Sequence, residues 1–305
     1  MSKIKKSALI IPYFGKFPEW FQLYMYSCKK NETIDFIFFT DCPRPNYEYS
    51  NNVKFYNISF EDYCKMVSEK LGIKFCPKSS YKLCDLKPWY GIIHDNILKD
   101  YEYWGYGDID LVYGNLNSFL NDFFRKKMDV FSTHSDRISG HFCLLRNNDY
   151  YIHLPFTIPN WEKLLTDDKH YGIDEGQFSL LLLKRQRYFR SILYRITKEY
   201  STQQRILSTV NNYLFRNICA QELHTSPKPL NGENWIYNAN TGEIIVEGSE
   251  NRLPYLHFLF FKKTIWWKEN TNYWKPGFYK VSEIHPDMIL KINNREIMAA
   301  SGNTL

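Results

Sequence analysis

Along the first half of the chain, continuous apolar runs alternate with stretches whose apolar residues recur at helical spacing. Ala8-Leu9-Ile10-Ile11-Pro12 predicts a buried strand, and Glu19 to Lys30, with Pro18 ahead of it, predicts a helix. Asp35 to Thr40 and Val53 to Ile58 predict two more strands, followed by a helix over Phe60 to Leu71 that Gly72 ends. Pro88 to Leu98 predicts a further helix, and Tyr101-Glu102-Tyr103-Trp104-Gly105-Tyr106 an aromatic, buried strand. Such alternation is the signature of an α/β sheet.

Beyond residue 110 the pattern continues less regularly. Leu116 to Lys127 predicts a helix, with strands over Asp129 to Thr133 and His141 to Leu145. Asp174 to Phe189 has an acidic first turn and a basic end, as the helix dipole favours. Asn234 to Val246 predicts a hairpin around Asn240-Thr241-Gly242, and Tyr255 to Phe261 a last apolar strand. No internal repeat or low-complexity linker interrupts the 305 residues, which leave room for one large domain or two modest ones.

The aromatic strand ends in Gly107-Asp108-Ile109-Asp110. On an extended backbone, carboxylates at i and i+2 point the same way. They would meet beyond the carboxyl edge of the sheet, where open α/β sheets bind ligands. Hard oxygen donors converging there suit Mg²⁺ or Mn²⁺ holding a diphosphate. The same tripeptide also serves as a polar turn, so the rest of the chain has to decide between the two.

Five further features bear on that choice. Pro12-Tyr13-Phe14-Gly15 is an aromatic turn in which a ring can stack on a base and Gly15 lets the backbone approach a ligand. Asp41 ends the second strand at the same edge. Lys82, Asp85 and Lys87 precede a helix, where lysines can offset phosphate charge and Asp85 can accept from a ribose hydroxyl; an N-cap with surface lysines is the alternative. Asp174-Glu175 opens a helix, and one of these diverging carboxylates can face the cleft as base or electrostatic stabiliser. Finally, His257 lies in an apolar strand followed by Lys262, Lys263 and Trp266-Trp267; it is a candidate third metal ligand or a satisfied core histidine, with a lysine beside the diphosphate.

Composition narrows the function classes. Seven cysteines with no Cys-x-x-Cys pair argue against a disulfide framework and a zinc ribbon, and for a reducing compartment. The apolar stretch after the basic N-terminus stops at Pro12, too early for a signal peptide, and no run approaches a bilayer span. A cytoplasmic protein is expected, with peripheral contact to the inner membrane face. Its net charge of +6 is concentrated between Lys184 and Arg216, where eight basic residues face the single acid Glu199. Interleaved with Tyr188, Phe189, Ile192, Leu193, Tyr194, Ile196, Ile206, Leu207 and Val210, they form a basic amphipathic stretch suited to an anionic membrane or an acidic partner, or to a solvated helix packed on the domain.

Asp108-Ile109-Asp110 after an aromatic strand, and His257-Phe258 followed by Lys262, Lys263 and Trp266-Trp267, resemble the GT-A glycosyltransferases. The order is closest to the retaining galactosyl- and glucosyltransferases of the lipopolysaccharide and glycogenin type. Ser139-Gly140-His141-Phe142 is similar to that family's small-residue strand near the transferred sugar, and Asp174-Glu175 to its acidic helix start. There are departures. Lys263 is followed by Thr264 where the family has proline, and the N-terminal turn lacks an acidic pair.

The resemblance implies one GT-A-like domain over 1–305, with a mixed Rossmann-type sheet. Its nucleotide-sugar-binding half would be 7–135 and its acceptor and metal half 136–267, with a basic helical insertion at about 184–230 and a tail at 268–305. It also implies a UDP-sugar donor held with Mn²⁺ or Mg²⁺ by Asp108, Asp110 and His257, with Lys262 or Lys263 beside the diphosphate. The acceptor would be a hydroxyl of a growing bacterial surface glycan, free or lipid-linked, in a capsule or lipopolysaccharide pathway. Retention is favoured over inversion. Two other classes use parts of the same chemistry. One is a metal-dependent phosphoesterase or nucleotidyltransferase built on Asp108 and Asp110. The other is a nucleic-acid-binding module built on residues 184–216, although no nucleic acid is expected as partner.

Overall fold

The computed structural model describes residues 5–199, 201–203, 205–206, 218–221, 223, 234–258, 283–293 and 297–300. The first half alternates as the apolar pattern requires: β1 (Lys5–Pro12), α1 (Phe21–Lys29), β2 (Ile34–Thr40), β3 (Val53–Asn57) and α2 (Phe60–Leu71). Ser59 caps α2 by accepting from the Asp62 amide at 3.0 Å, and Gly72 closes it in the left-handed conformation at φ +68°.

The helix expected over Pro88 to Leu98 is instead three short pieces. A 3-10 helix spans Ser80–Trp89, followed by α3 (Tyr90–Ile93) and α4 (Asp95–Leu98). Pro88 lacks the amide an α-helix needs, and His94 breaks the run with φ −112° and ψ 23°. The aromatic run then forms β4 (Tyr101–Gly107), and β5 (Leu111–Tyr113) follows.

Next come α5 (Asn117–Arg125), β6 (Val130–Ser132), β7 (Phe142–Arg146), α6 (Asp149–His153) and α7 (Trp161–Thr166). A single π-helical turn, Asp174–Phe178, leads into α8 (Ser179–Ile196). The remaining described elements are β8 (Ile218–Ala220), β9 (Trp235–Asn238), β10 (Ile244–Val246), β11 (Arg252–Leu253), β12 (Tyr255–His257), β13 (Ile289–Ile292) and β14 (Ile297–Ala300). The expected hairpin is β9–β10, which β11 on one side and β13 and β14, in the stretch expected to be a tail, on the other extend into a five-stranded sheet. The segment from 184 to 230 begins as a continuation of α8, and most of the rest of it lies outside the described residues.

The protein is mixed α/β. Its central sheet has the order β3-β2-β1-β4-β7-β6-β8, in which β7 runs antiparallel to both neighbours. Alternate residues of one strand feed two cores: Leu9 and Ile11 pack on one face of the sheet, Ala8 and Ile10 on the other. Phe36 and Phe38 against Ile37 and Phe39 divide in the same way, so β2 is buried along its whole length.

A separate two-stranded sheet pairs β5 with β12 antiparallel, with Leu111 opposite His257 and Tyr113 opposite Tyr255. No helix among the described residues is long and apolar enough to cross a membrane.

Candidate functional site

In the central sheet, β2 and β3 lie on one side of β1 and β4 on the other, so the strand order reverses between β1 and β4. Ligands of open α/β sheets bind at the carboxyl ends of strands at such a reversal. A cleft of about 580 Å³ lies there. Pro12, Tyr13 and Phe14 form one lip, Asp108 and Asp110 the other, and Lys87 from the 3-10 helix reaches into it.

The first lip is fixed by backbone. Tyr13 donates its amide to the Phe39 carbonyl at 2.9 Å. Gly15 adopts φ +103°, a conformation that L side chains rarely take, and donates its amide to Asp41 Oδ1 at 2.7 Å. Asp41 thereby shapes the turn. Burial first, then electrostatic contributions from Cys42 and Asp110, push the Tyr13 phenol up to about 12, so it stays a hydroxyl at neutral pH.

The opposite lip, Asp108 to Asp110, is a bend between β4 and β5, not a continuation of the strand. The Asp108 amide donates to the His141 carbonyl at 3.0 Å, the Trp20 indole N–H to the Ile109 carbonyl at 2.8 Å, and the Phe258 amide to the Asp110 carbonyl at 2.9 Å. The two carboxylates therefore have different partners. Asp108 Oδ1 accepts from Lys87 Nζ at 2.6 Å, while Asp110 Oδ1 lies 3.4 Å from His257 Nε2. Both nevertheless line the same cleft. Among the described residues, no three His, Cys, Asp or Glu side chains cluster so as to hold a metal ion.

Lys87 is the hub of the cleft floor. Besides Asp108, its ammonium donates to the Gly140 carbonyl at 2.7 Å and lies 3.9 Å from Asp174 Oδ2. Burial pushes this amine down, but Asp108, Cys84 and Asp174 outweigh it and hold it above its ordinary range. Asp174 is buried and set by the π-helical turn. Burial raises its carboxyl to about 6; the opposing pull of Lys87 is moderate because the ammonium lies closer to Asp108. Glu175 turns outward, with Oε1 accepting from the Gly140 amide at 3.1 Å and Oε2 3.5 Å from Arg137 Nε. Of the two adjacent carboxylates, Asp174 is thus the one held against Lys87.

Behind Asp110 the imidazoles of His257 and His141 are neighbours, their centroids 4.2 Å apart and their planes tilted by 30°. His141 Nε2 is 2.5 Å from the Tyr255 hydroxyl, which also contacts Thr133 Oγ1, and Thr133 in turn donates to Ser139 at 3.0 Å. Burial, and then the proximity of His257 and His134, drive the His141 pKa well below its ordinary value, so the ring is neutral.

Lys82 and Asp85 lie away from the cleft. Lys82 Nζ, fully buried, donates to Asp85 at 3.0 Å and to the Leu164 and Lys169 carbonyls, and Asp85 accepts from the Tyr171 and Ile173 amides. The pair ties the 3-10 helix to the segment that leads into Asp174. Lys262 and Lys263, expected beside a diphosphate, lie outside the described residues.

Trp20, Arg137 and Tyr255 support the site without having been singled out from the sequence. Trp20, His141 and Tyr255 each sat in a segment that pattern had marked as helix or strand, but the pattern did not single out the residue itself. No curated protein matches the chain. A profile described only as a family of unknown function, DUF6625, matches residues 9–289, which takes in both lips of the cleft, its lysine hub and the Asp110–His257 contact, and the chain belongs to that family.

Proposed function

We propose that the protein is a metal-dependent GT-A-like glycosyltransferase that moves a hexose from a nucleotide diphosphate sugar, with UDP the expected nucleotide, to a hydroxyl of a growing bacterial surface glycan. The observation that carries this reading is the position of Asp108 and Asp110 at the reversal of strand order, on the lip of a cleft of about 580 Å³. The volume suits a nucleotide and a sugar, and aromatic Tyr13 and Phe14 stand on the facing lip.

The donor set fits a divalent cation in part. One carboxylate and one imidazole, 3.4 Å apart at Asp110 and His257, suit an ion that takes its other ligands from diphosphate oxygens and water. Asp108 keeps Lys87 on Oδ1, and its second carboxylate oxygen would join the ion or accept from a ribose hydroxyl. When bound, such an ion supplies charge stabilisation to the departing diphosphate.

The chain's own groups do the rest. Lys87 places a fixed positive charge on the cleft floor. It holds Asp108 and Asp174 in orientation, so their positions need no reorganisation during reaction. Asp174, with its carboxyl near 6, is mostly ionised at neutral pH and would accept from a sugar hydroxyl. Its burial behind Gly140 suits orientation of the donor better than direct attack on an acceptor proton, which favours retention.

Isothermal titration of UDP and a panel of UDP-sugars, with Mn²⁺ and with chelator, tests the proposal on the wild type and Asp110→Ala. Binding that requires metal and is lost in the variant is expected. Binding that is indifferent to both metal and Asp110 would remove the metal from the reading, and absence of binding by any nucleotide sugar would remove the transferase.

A further inference from the structure

We infer that the solvent face of α8 is a docking surface for an anionic phospholipid bilayer. Among the described residues, six of the ten exposed large apolar side chains belong to this one helix: Leu180, Leu181, Tyr188, Ile192, Tyr194 and Ile196. The exposure is substantial, 72 % at Tyr188 and 74 % at Ile196.

The helical repeat of 3.6 residues sorts them. Leu181, Tyr188 and Ile192 fall on one ridge, at i, i+7 and i+11, opposite the inward stripe of Leu183 and Leu193, which are buried. Lys184 and Arg195 flank the ridge on one side and Arg185 on the other, all exposed. From Ser179 to Lys198 there is no acidic residue.

An apolar ridge in water is unfavourable, and a helix that only needed solubility would carry charges of both signs there. An apolar line edged by cations alone matches the interface of an anionic leaflet, where rings and aliphatic groups enter the headgroup boundary and lysine and arginine meet phosphates. The charge bias also argues against a second copy of this helix as occupant, since two such faces would repel. α8 begins directly after the turn carrying Asp174 and Glu175, so a bilayer on this face would lie within a few turns of the cleft floor.

Co-sedimentation of the full chain with vesicles tests this. The vesicles are phosphatidylcholine alone, or phosphatidylcholine with phosphatidylglycerol, at low and high salt. Binding to the anionic vesicles is expected, weakened at least about tenfold by high salt and by Lys184→Glu, Arg185→Glu and Arg195→Glu together. That charge-reversed protein should instead bind vesicles carrying a cationic lipid, which a misfolded chain would not do selectively. Leu181→Ser, Tyr188→Ser and Ile192→Ser together should lower partitioning by a similar factor while leaving metal-dependent nucleotide binding unchanged. Equal binding to neutral vesicles, no binding at low salt, or a dimer by sedimentation that the serine variant dissociates would each overturn the inference.

Discussion

The carboxylate of Asp174 stands 2.7 Å from the place where a Cβ on Gly140 would be. A side chain there would have to displace that carboxylate, and Glu175 presses on the same spot at 3.0 Å. Gly140→Ala is expected to push Asp174 off Lys87. Stability should fall by about 1–3 kcal/mol, the usual effect of overpacking, and turnover should fall by more than tenfold. Urea unfolding and an assay on the same preparation would check both, and wild-type turnover in a folded variant would remove Asp174 from the site.

Lys87→Met leaves Asp108 and Asp174 facing each other without the cation between them. Breaking a buried pair in this way costs about 3–5 kcal/mol. The loss should be greatest at pH 8 and much smaller at pH 5, where Asp174 takes up a proton that relieves the repulsion. A deficit of equal size at both values would mean that lost packing, not charge, accounts for it.

Two buried groups oppose each other in the dependence of stability on pH. The Asp174 carboxyl goes from 3.8 to about 6 on folding, so the folded state binds more protons between those values, and stability falls as pH rises through that window. His94, beside the Tyr63 hydroxyl at 3.0 Å, drops from 6.5 to about 3 through burial and the charge of Lys70. There the unfolded state binds more protons, and stability falls as pH drops through that window. The effects are on the order of 3 and 5 kcal/mol respectively. Asp174→Asn should therefore steepen acid destabilisation, and His94→Gln should flatten or reverse it. Urea midpoints from pH 4 to 8 measure this; an Asp174→Asn curve parallel to wild type would show that the carboxyl does not titrate as described.

Lys82 and Asp85 form an interior ion pair whose partners satisfy four backbone groups. Lys82→Met or Asp85→Leu alone should each cost about 3–5 kcal/mol, and the double variant less than the sum, since neither charge is then left alone. Strict additivity in a double-mutant cycle would contradict the pairing.

Much of the frame could be read from apolar pattern alone. The runs at Ala8 to Pro12 and Asp35 to Thr40 are buried on both faces, so their residue types admit little else, and they became β1 and β2. Asp108 and Asp110 were legible as polar groups leaving a buried strand. Their different partners were not, because these depend on a bend held by contacts from Trp20, His141 and Phe258, all distant in sequence. Lys82, Asp85 and Lys87 look alike on paper, two lysines flanking an aspartate. Their separation into an interior clamp and a cleft-floor hub is decided by which way a 3-10 helix turns each side chain, and local pattern carries no signal for that.

The pairing of β5 with β12 gives the Asp110–His257 contact an unusual kind of permanence. Leu111 faces His257 across the ladder, and the Phe258 amide bonds the Asp110 carbonyl, so main-chain atoms alone bring the two side chains together. The location is encoded in strand alignment and is indifferent to what the side chains are. Replacing either residue would empty a place without moving it, and new donors could be installed there by substitution alone. A one-residue shift of β12, by contrast, would turn the imidazole to the opposite face and dismantle the contact with its chemistry intact.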